Sequence, residues 1–185
     1  MILMMVSITP MLWKVWNNPK NNEIIGYVIC ALASFLFGYH VHEKAILLAL
    51  VPFIALGTHQ KLRFFFYKNF SAVKNPRKYG TILLVLSSAG YSGLMPLIFT
   101  NFEQPLIIAL FLASQFFLFL TFLDQFRAAS LIEKAYIISS LPIVCYVQQW
   151  SKIVHPQLPF LSLLVQSCYS ACGIIYTFVC ANLLL

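Results

Sequence analysis

The reading of this chain turns on Phe35-Leu-Phe-Gly-Tyr-His-Val-His-Glu-Lys44, which runs directly into Ala45-Ile-Leu-Leu-Ala-Leu-Val-Pro52. His42, Glu43 and Lys44 are consecutive titratable residues between two apolar runs, in a sequence with only five acids and four histidines. Charged groups beside hydrocarbon are costly unless paired or solvated, so such a cluster marks either a buried ion pair or a functional site.

The surrounding composition sets the solvent. Of 185 residues, 61% are hydrophobic and 9% charged, against roughly 25% charged in soluble domains. Apolar stretches approaching the length of a bilayer core of about 30 Å recur along the whole sequence and leave no room for a folded soluble domain. A β-barrel would need short alternating strands rather than uninterrupted apolar runs. The sequence therefore predicts an all-α, polytopic transmembrane bundle with residues 1–185 as a single membrane domain.

Seven apolar segments can be drawn: Ile2 to Trp13, Ile24 to Tyr39, Ala45 to Leu56, Tyr79 to Phe99, Leu106 to Leu123, Ala135 to Trp150, and Leu158 to Leu185. The net charge of +7 is carried by loops and not by a soluble basic surface, which argues against a nucleic-acid partner. Over alternate loops, ten Lys and Arg residues fall on one side and only Lys44 and Lys152 on the other. The positive-inside rule puts the first set in the cytosol and the His42 to Lys44 cluster on the luminal or exterior side. Glu23, Asp124 and Glu133 then go to the cytosolic side, and Glu43 and Glu103 are the two carboxylates opposite. The start, Met1-Ile-Leu-Met-Met-Val, has no charged n-region, so the first span is expected to act as its own signal.

The second and third segments, about 16 and 12 residues, would be roughly 24 and 18 Å long as helices. Either they extend into their polar flanks, or the turn at His40 to Lys44 is recessed to the depth of lipid headgroups. The second arrangement is favoured because Leu62-Arg-Phe-Phe-Phe-Tyr67 looks like a cytosolic interfacial anchor. Ala89 with Gly93, and Ser167 with Ala171, are small residues four apart that allow close helix packing in lipid. The five cysteines lie in apolar segments without a CxxC pair, and Cys168 and Cys172 read as small packing residues.

At the central stretch, an α-helical backbone would put His40, Glu43 and Lys44 on one face, with His42 nearly opposite. In a turn that facing fails. The His-x-His spacing suggests a metal pair, but zinc needs three or four ligands and few others are on that side. Two readings stay open from the residues alone. One is an ion pair of Glu43 with Lys44, or with another helix. The other is a phosphate site in which Lys44 and a histidine supply positive charge and donors.

Phe35-Leu-Phe-Gly-Tyr-His-Val-His-Glu-Lys-Ala-Ile-Leu-Leu48 resembles the His-Glu-Lys signature of the dolichyl-phosphate-glucose-dependent α-1,3-glucosyltransferases of the endoplasmic reticulum. Gly90-Tyr-Ser-Gly-Leu-Met-Pro-Leu-Ile-Phe-Thr100, Leu158-Pro-Phe-Leu-Ser-Leu-Leu164 and Cys172-Gly-Ile-Ile-Tyr176 are similar to that family in the same order. His40 stands where the first-glucose enzymes commonly carry Gln, so the likeness is to the branch adding the second glucose. The resemblance implies a C-type glycosyltransferase fold in the endoplasmic reticulum membrane, with its active side luminal and without a cofactor or metal. The implied reaction moves glucose, with inversion, from dolichyl-phosphate-glucose to a monoglucosylated lipid-linked oligosaccharide. By residue-by-residue transfer, His42 and Glu43 are implied as catalytic residues and His40 and Lys44 as substrate-binding residues.

Two departures accompany the likeness. It covers only the C-terminal portion of the family, and the acidic residue of the family's first luminal loop, the expected general base, has no counterpart. The expectation is a chain that supplies the donor-phosphate side of the site, works with an N-terminal partner segment and is inactive alone. The alternative is a truncated noncatalytic module that binds membrane lipid or a partner subunit. A transporter is disfavoured because the intramembrane polar residues form no continuous path.

Overall fold

The computed structural model of the protein describes residues 2–17, 19–38, 43–66, 76–95, 104–147, 157 and 160–184. Among these the chain is helical, with no strand. The helices are α1 (Ile2–Asn17), α2 (Pro19–Phe37), α3 (Leu47–Phe66), α4 (Pro76–Leu94), α5 (Gln104–Thr121), α6 (Leu123–Ala128), α7 (Leu131–Cys145) and α8 (Leu161–Leu184), with a one-turn 3-10 helix at Glu43–Ile46 before α3. Pro19 and Pro76 each occupy the first position of their helix, where the missing N–H costs nothing and the fixed φ suits the helix. One described helix, Leu161–Leu184, is long and apolar enough to cross a membrane; Glu23–Phe37, Lys44–Thr58 and Ile108–Thr121 are shorter apolar helical stretches.

The lengths of α2 and α3 differ from those drawn on hydropathy alone. They run for 19 and 20 residues, roughly 28 and 30 Å at 1.5 Å per residue. Each continues through polar residues: α2 begins ahead of Glu23, and α3 runs past His59, Lys61 and Arg63. Backbone hydrogen bonding does not stop where side chains turn polar, and the polar flank simply extends the helix. The length argument for a recessed turn is thereby removed.

The chain divides into two compact units, residues 1–83 with 175–185, and residues 84–174. In the first, Ile25, Val28, Ile29, Leu32 and Ala33 form the buried stripe of α2, and Ala49, Leu50, Phe53 and Leu56 that of α3. Both follow the i, i+3, i+4, i+7 recurrence that sets one helix face against a neighbour. Gly26 lets α1 approach closely: a Cβ there would sit 2.9 Å from Val15 Cγ2 and 3.2 Å from Met11 Sδ. Phe37, at the end of α2, meets Phe178 of α8 edge-on, with ring centroids 6.1 Å apart.

In the second unit the packing combines a hydrophobic cluster of Met95, Phe111 and Val144 with close contacts through small residues. A Cβ on Gly93 of α4 would lie 3.1 Å from Ser170 Oγ, and one on Gly173 of α8 would lie 2.7 Å from the Ala89 Cβ. The expected small-residue stripe on α4, Ala89 with Gly93, is thus the one that packs. On α8 the packed face carries Gln166, Ser170 and Gly173, whereas Ser167, Ala171, Cys168 and Cys172 are exposed. The pair chosen from sequence lies one residue off the face that is used, and the two cysteines are not packing residues within this chain.

The short α6 and α7 form a capped elbow. Ser130 accepts from the Glu133 backbone N–H at 3.3 Å, while the Glu133 carboxylate accepts from the Ser130 N–H at 2.7 Å. This reciprocal arrangement satisfies two donors that the helix start would otherwise leave unpaired. Lys134 Nζ donates to the Arg127 carbonyl at 2.8 Å and closes the end of α6.

Gly173→Val should lower the thermal unfolding midpoint in detergent by an amount equivalent to about 1–3 kcal/mol of overpacking. Ala171→Val, on the exposed face, should stay within roughly 0.5 kcal/mol of the parent. Equal effects would show that α8 packs through a different face. Ser130→Ala should cost about 1 kcal/mol in the same measurement.

Candidate functional site

The His-Glu-Lys stretch sits in the first unit, where two buried stripes converge on a short connection. At its upstream edge, the Gly38 N–H donates to the Ser34 carbonyl at 2.9 Å and completes the last turn of α2. Residues 39–42 lie outside the described residues, and with them His40 and His42. The described backbone resumes at Glu43 as one 3-10 turn, Glu43–Ile46. The facing argument, which needs an α-helical repeat from His40 to Lys44, does not apply to this tighter turn, where side chains three apart eclipse.

Within the turn the roles separate by burial. Ile46 is 2% exposed and continues the stripe of Ala49, Leu50 and Phe53, so it ties the turn to the α2–α3 packing. Lys44, two residues earlier, is exposed. An apolar anchor in the same turn holds the Lys44 backbone, while its side chain stays exposed. A compact cation on a four-carbon stem, held this way, can meet a phosphate as a point charge with three donors. Glu43 opens the same turn; its side chain lies outside what the structure describes. Among the described residues no group of three His, Cys, Asp or Glu could hold a metal ion.

A second polar constellation, which sequence reasoning did not single out, occupies the other unit. The Tyr136 hydroxyl donates to the Tyr169 carbonyl at 2.8 Å, and the Tyr169 hydroxyl donates to the Tyr136 carbonyl at 2.8 Å. The two rings stack 4.3 Å apart and within 5° of parallel. Ser92 Oγ and Ser170 Oγ lie 3.1 Å apart, and Gln166 Nε2 donates to the Ser92 carbonyl. The signal was present in sequence as Gln166 and Tyr169 within an apolar run, since a polar side chain inside such a segment faces a partner by default. These hydrogen bonds join α4, α7 and α8, which is a scaffolding role.

Comparison with known proteins bears on the whole of this arrangement. The profile of the ALG6, ALG8 glycosyltransferase family matches residues 1–181. A mouse protein named dolichyl pyrophosphate Glc1Man9GlcNAc2 alpha-1,3-glucosyltransferase is 30% identical over 184 residues, covering 95% of this chain and 32% of the relative. The Chaetomium globosum protein of the same name is 35% identical over 179 residues, covering 91% and 34%. That of Schizosaccharomyces pombe is 32% identical over 175 residues, covering 90% and 32%. The chain thus spans about a third of the length of the curated relatives it matches. No solved structure matches it. With its profile running over all but the last four residues, the chain belongs to the ALG6, ALG8 glycosyltransferase family.

Proposed function

We propose that this chain forms the donor-phosphate side of a glucosyltransferase that moves glucose from dolichyl-phosphate-glucose to a monoglucosylated lipid-linked oligosaccharide, in the endoplasmic reticulum membrane. The observation that carries the reading is the match along 90% or more of the chain to relatives whose names specify a Glc1Man9GlcNAc2 acceptor and an alpha-1,3 linkage. The chain is a multi-pass segment of seven spans corresponding to the C-terminal portion of those relatives. The His-Glu-Lys stretch faces the lumen, on the strength of the charge asymmetry between alternate loops.

In the reaction, the acceptor hydroxyl oxygen attacks the anomeric carbon of glucose from the side opposite the phosphate. The bond from that carbon to the phosphate oxygen breaks, and dolichyl phosphate leaves with the electron pair. Charge accumulates on the leaving phosphate, so the useful protein groups are cations and donors fixed in advance at that position. Lys44, with His40, binds the donor phosphate, and His42 and Glu43 lie at the reacting atoms. The exposed ammonium on a turn anchored by buried Ile46 supports this assignment. The family's acidic first-loop base has no counterpart in the segments that carry the resemblance. The share of the reaction proposed for this chain is donor binding and leaving-group stabilisation, with the acceptor proton received by a base outside the segments that carry the resemblance.

Two measurements test this. With the chain in nanodiscs, Lys44→Ala should weaken binding of dolichyl-phosphate-glucose by roughly 10- to 150-fold, the equivalent of one charge-assisted hydrogen bond of about 1.5–3 kcal/mol. Lys44→Arg should recover part of the loss because the charge remains. Unchanged affinity in Lys44→Ala would remove the residue from the donor site.

In microsomes containing the chain with the N-terminal portion of a relative, labelled glucose should appear on a monoglucosylated acceptor. Glu43→Gln should reduce this by about 100- to 1,000-fold, the scale of losing one preorganised group. Transfer to an unglucosylated acceptor instead would assign the chain to the first-glucose step. Absence of transfer with any acceptor would favour the noncatalytic membrane module.

A further inference from the structure

The α6–α7 elbow is pinned at both ends and loose between them. Upstream, the Phe126 ring meets that of Phe119 edge-on, with centroids 4.8 Å apart. Downstream, Ile137 is the first buried residue of α7. No side chain over residues 127–135 is buried, and Arg127, Ala128, Ser130, Leu131 and Ile132 are exposed, Leu131 at 83% and Ile132 at 81%. Ala129 and Ser130 already have extended backbone, each with φ −65° and with ψ 154° and 160°. What closes the segment is the capping box and the bond from Lys134 to the Arg127 carbonyl, all at exposed positions. Exposed hydrogen bonds without buried apolar contacts open at low cost. With six residues, α6 is also well below the length at which a helix sustains itself.

The side chains carried by this segment form a pattern. In Arg127-Ala-Ala-Ser-Leu131 an exposed hydroxyl has a guanidinium side chain three residues before it and an aliphatic one directly after it. Among the described serines and threonines, Ser130 is the exposed one with Lys or Arg at that spacing. Thr81 follows Lys78 in the same way but is 5% exposed. A guanidinium is read by a carboxylate-lined pocket through charge-assisted, bidentate hydrogen bonds, and Leu131 by an apolar pocket beside it. An enzyme cleft with these two pockets would hold the opened segment with the Ser130 hydroxyl between them.

We infer that Ser130 is a phosphorylation site for a cytosolic protein kinase that selects basic residues, with ATP as the phosphoryl donor. Ser130 Oγ attacks the γ-phosphorus of ATP. The bond from that phosphorus to the β,γ-bridging oxygen breaks, ADP leaves with the electron pair, and the hydroxyl proton passes to the kinase's base. The phosphoserine carries about −1.5 to −2 charges. That charge stands beside the Glu133 carboxylate, which accepts from the Ser130 N–H at 2.7 Å, and it opposes the capping box by like-charge repulsion. The inference rests on the proposed orientation, in which the loop of Arg127 and Lys134 faces the cytosol, and uses no part of the donor-binding reading.

The test uses the full chain in sealed microsomes, whose cytosolic face is outward. Given the catalytic subunit of cyclic-AMP-dependent protein kinase and γ-labelled ATP, the chain should take up label at Ser130, located by peptide mapping. Arg127→Ala should slow the uptake by roughly 10- to 150-fold, the worth of one charge-assisted hydrogen bond. Arg127→Lys should retain part of the rate because the charge remains, and Ser130→Ala should abolish labelling of that peptide. Label that appears only after detergent opens the vesicles would overturn the inference through the orientation on which it rests. No label at Ser130 in sealed or opened vesicles, while other microsomal proteins are labelled, would overturn the inference and leave the orientation standing. Labelling indifferent to Arg127→Ala would also overturn it. Peptide mapping of the parent chain decides the matter even if a variant fails to fold.

Discussion

In a chain with 61% hydrophobic and 9% charged residues, the governing constraint is that each buried polar group must find its partner inside the protein. The second unit gathers several such partners at one place. Tyr136 and Tyr169 exchange hydrogen bonds with each other's carbonyls, Gln166 reaches the Ser92 carbonyl, and Ser92 meets Ser170. Apolar side chains give little preference for one helix face over another when the alternative is lipid, because lipid tails are as apolar as Leu. Polar pairs give that preference. Individually such bonds are worth about 0.6 kcal/mol in a membrane setting, but they select the register, and the register brings Gly93 and Gly173 to the close approaches that a Cβ would obstruct.

This explains which parts of the fold were legible in sequence. Helix as the element type of the described residues followed from uninterrupted apolar runs. Helix ends did not follow, because hydropathy marks where side chains turn polar, and α2 and α3 continue through Glu23 and through Lys61 and Arg63. On α8, small residues occupy two adjacent faces: Ser167 with Ala171, and Ser170 with Gly173. Spacing alone gives them equal standing. Gln166 and Tyr169 break the tie, since each needs a partner that only the buried face supplies. The α6–α7 elbow is readable in principle from Ser130 and Glu133 three apart before an apolar run, a role that the charge count, which assigns Glu133 only to the cytosolic side, does not reach.

At the candidate site, the identity of the residues was legible and their arrangement was not. The sequence isolates His40, His42, Glu43 and Lys44 because they cluster within five residues between two apolar runs. It leaves open whether the segment is helix or turn, and so which side chains share a face. The structure resolves the later part: Glu43–Ile46 is a 3-10 turn, Lys44 is exposed and Ile46 is buried. His40 and His42 fall outside the described residues, and their role stays with the family resemblance.

The exposure of Lys44 bears on the proposed donor-phosphate role. An ion pair that stabilises a bundle gains most when both partners are withdrawn from water, and withdrawing them exacts a desolvation penalty that often cancels the gain. A cation that must receive a phosphate has the opposite requirement. It needs a fixed backbone and an open head, so that the incoming anion completes its coordination without first breaking an internal pair. Ile46, carried on the stripe of Ala49, Leu50 and Phe53, supplies the fixed backbone, and the exposure of Lys44 supplies the open head. The apolar clamp between α2 and α3 is thus compatible with the proposed phosphate-binding role of Lys44, which needs a fixed backbone more than a buried partner.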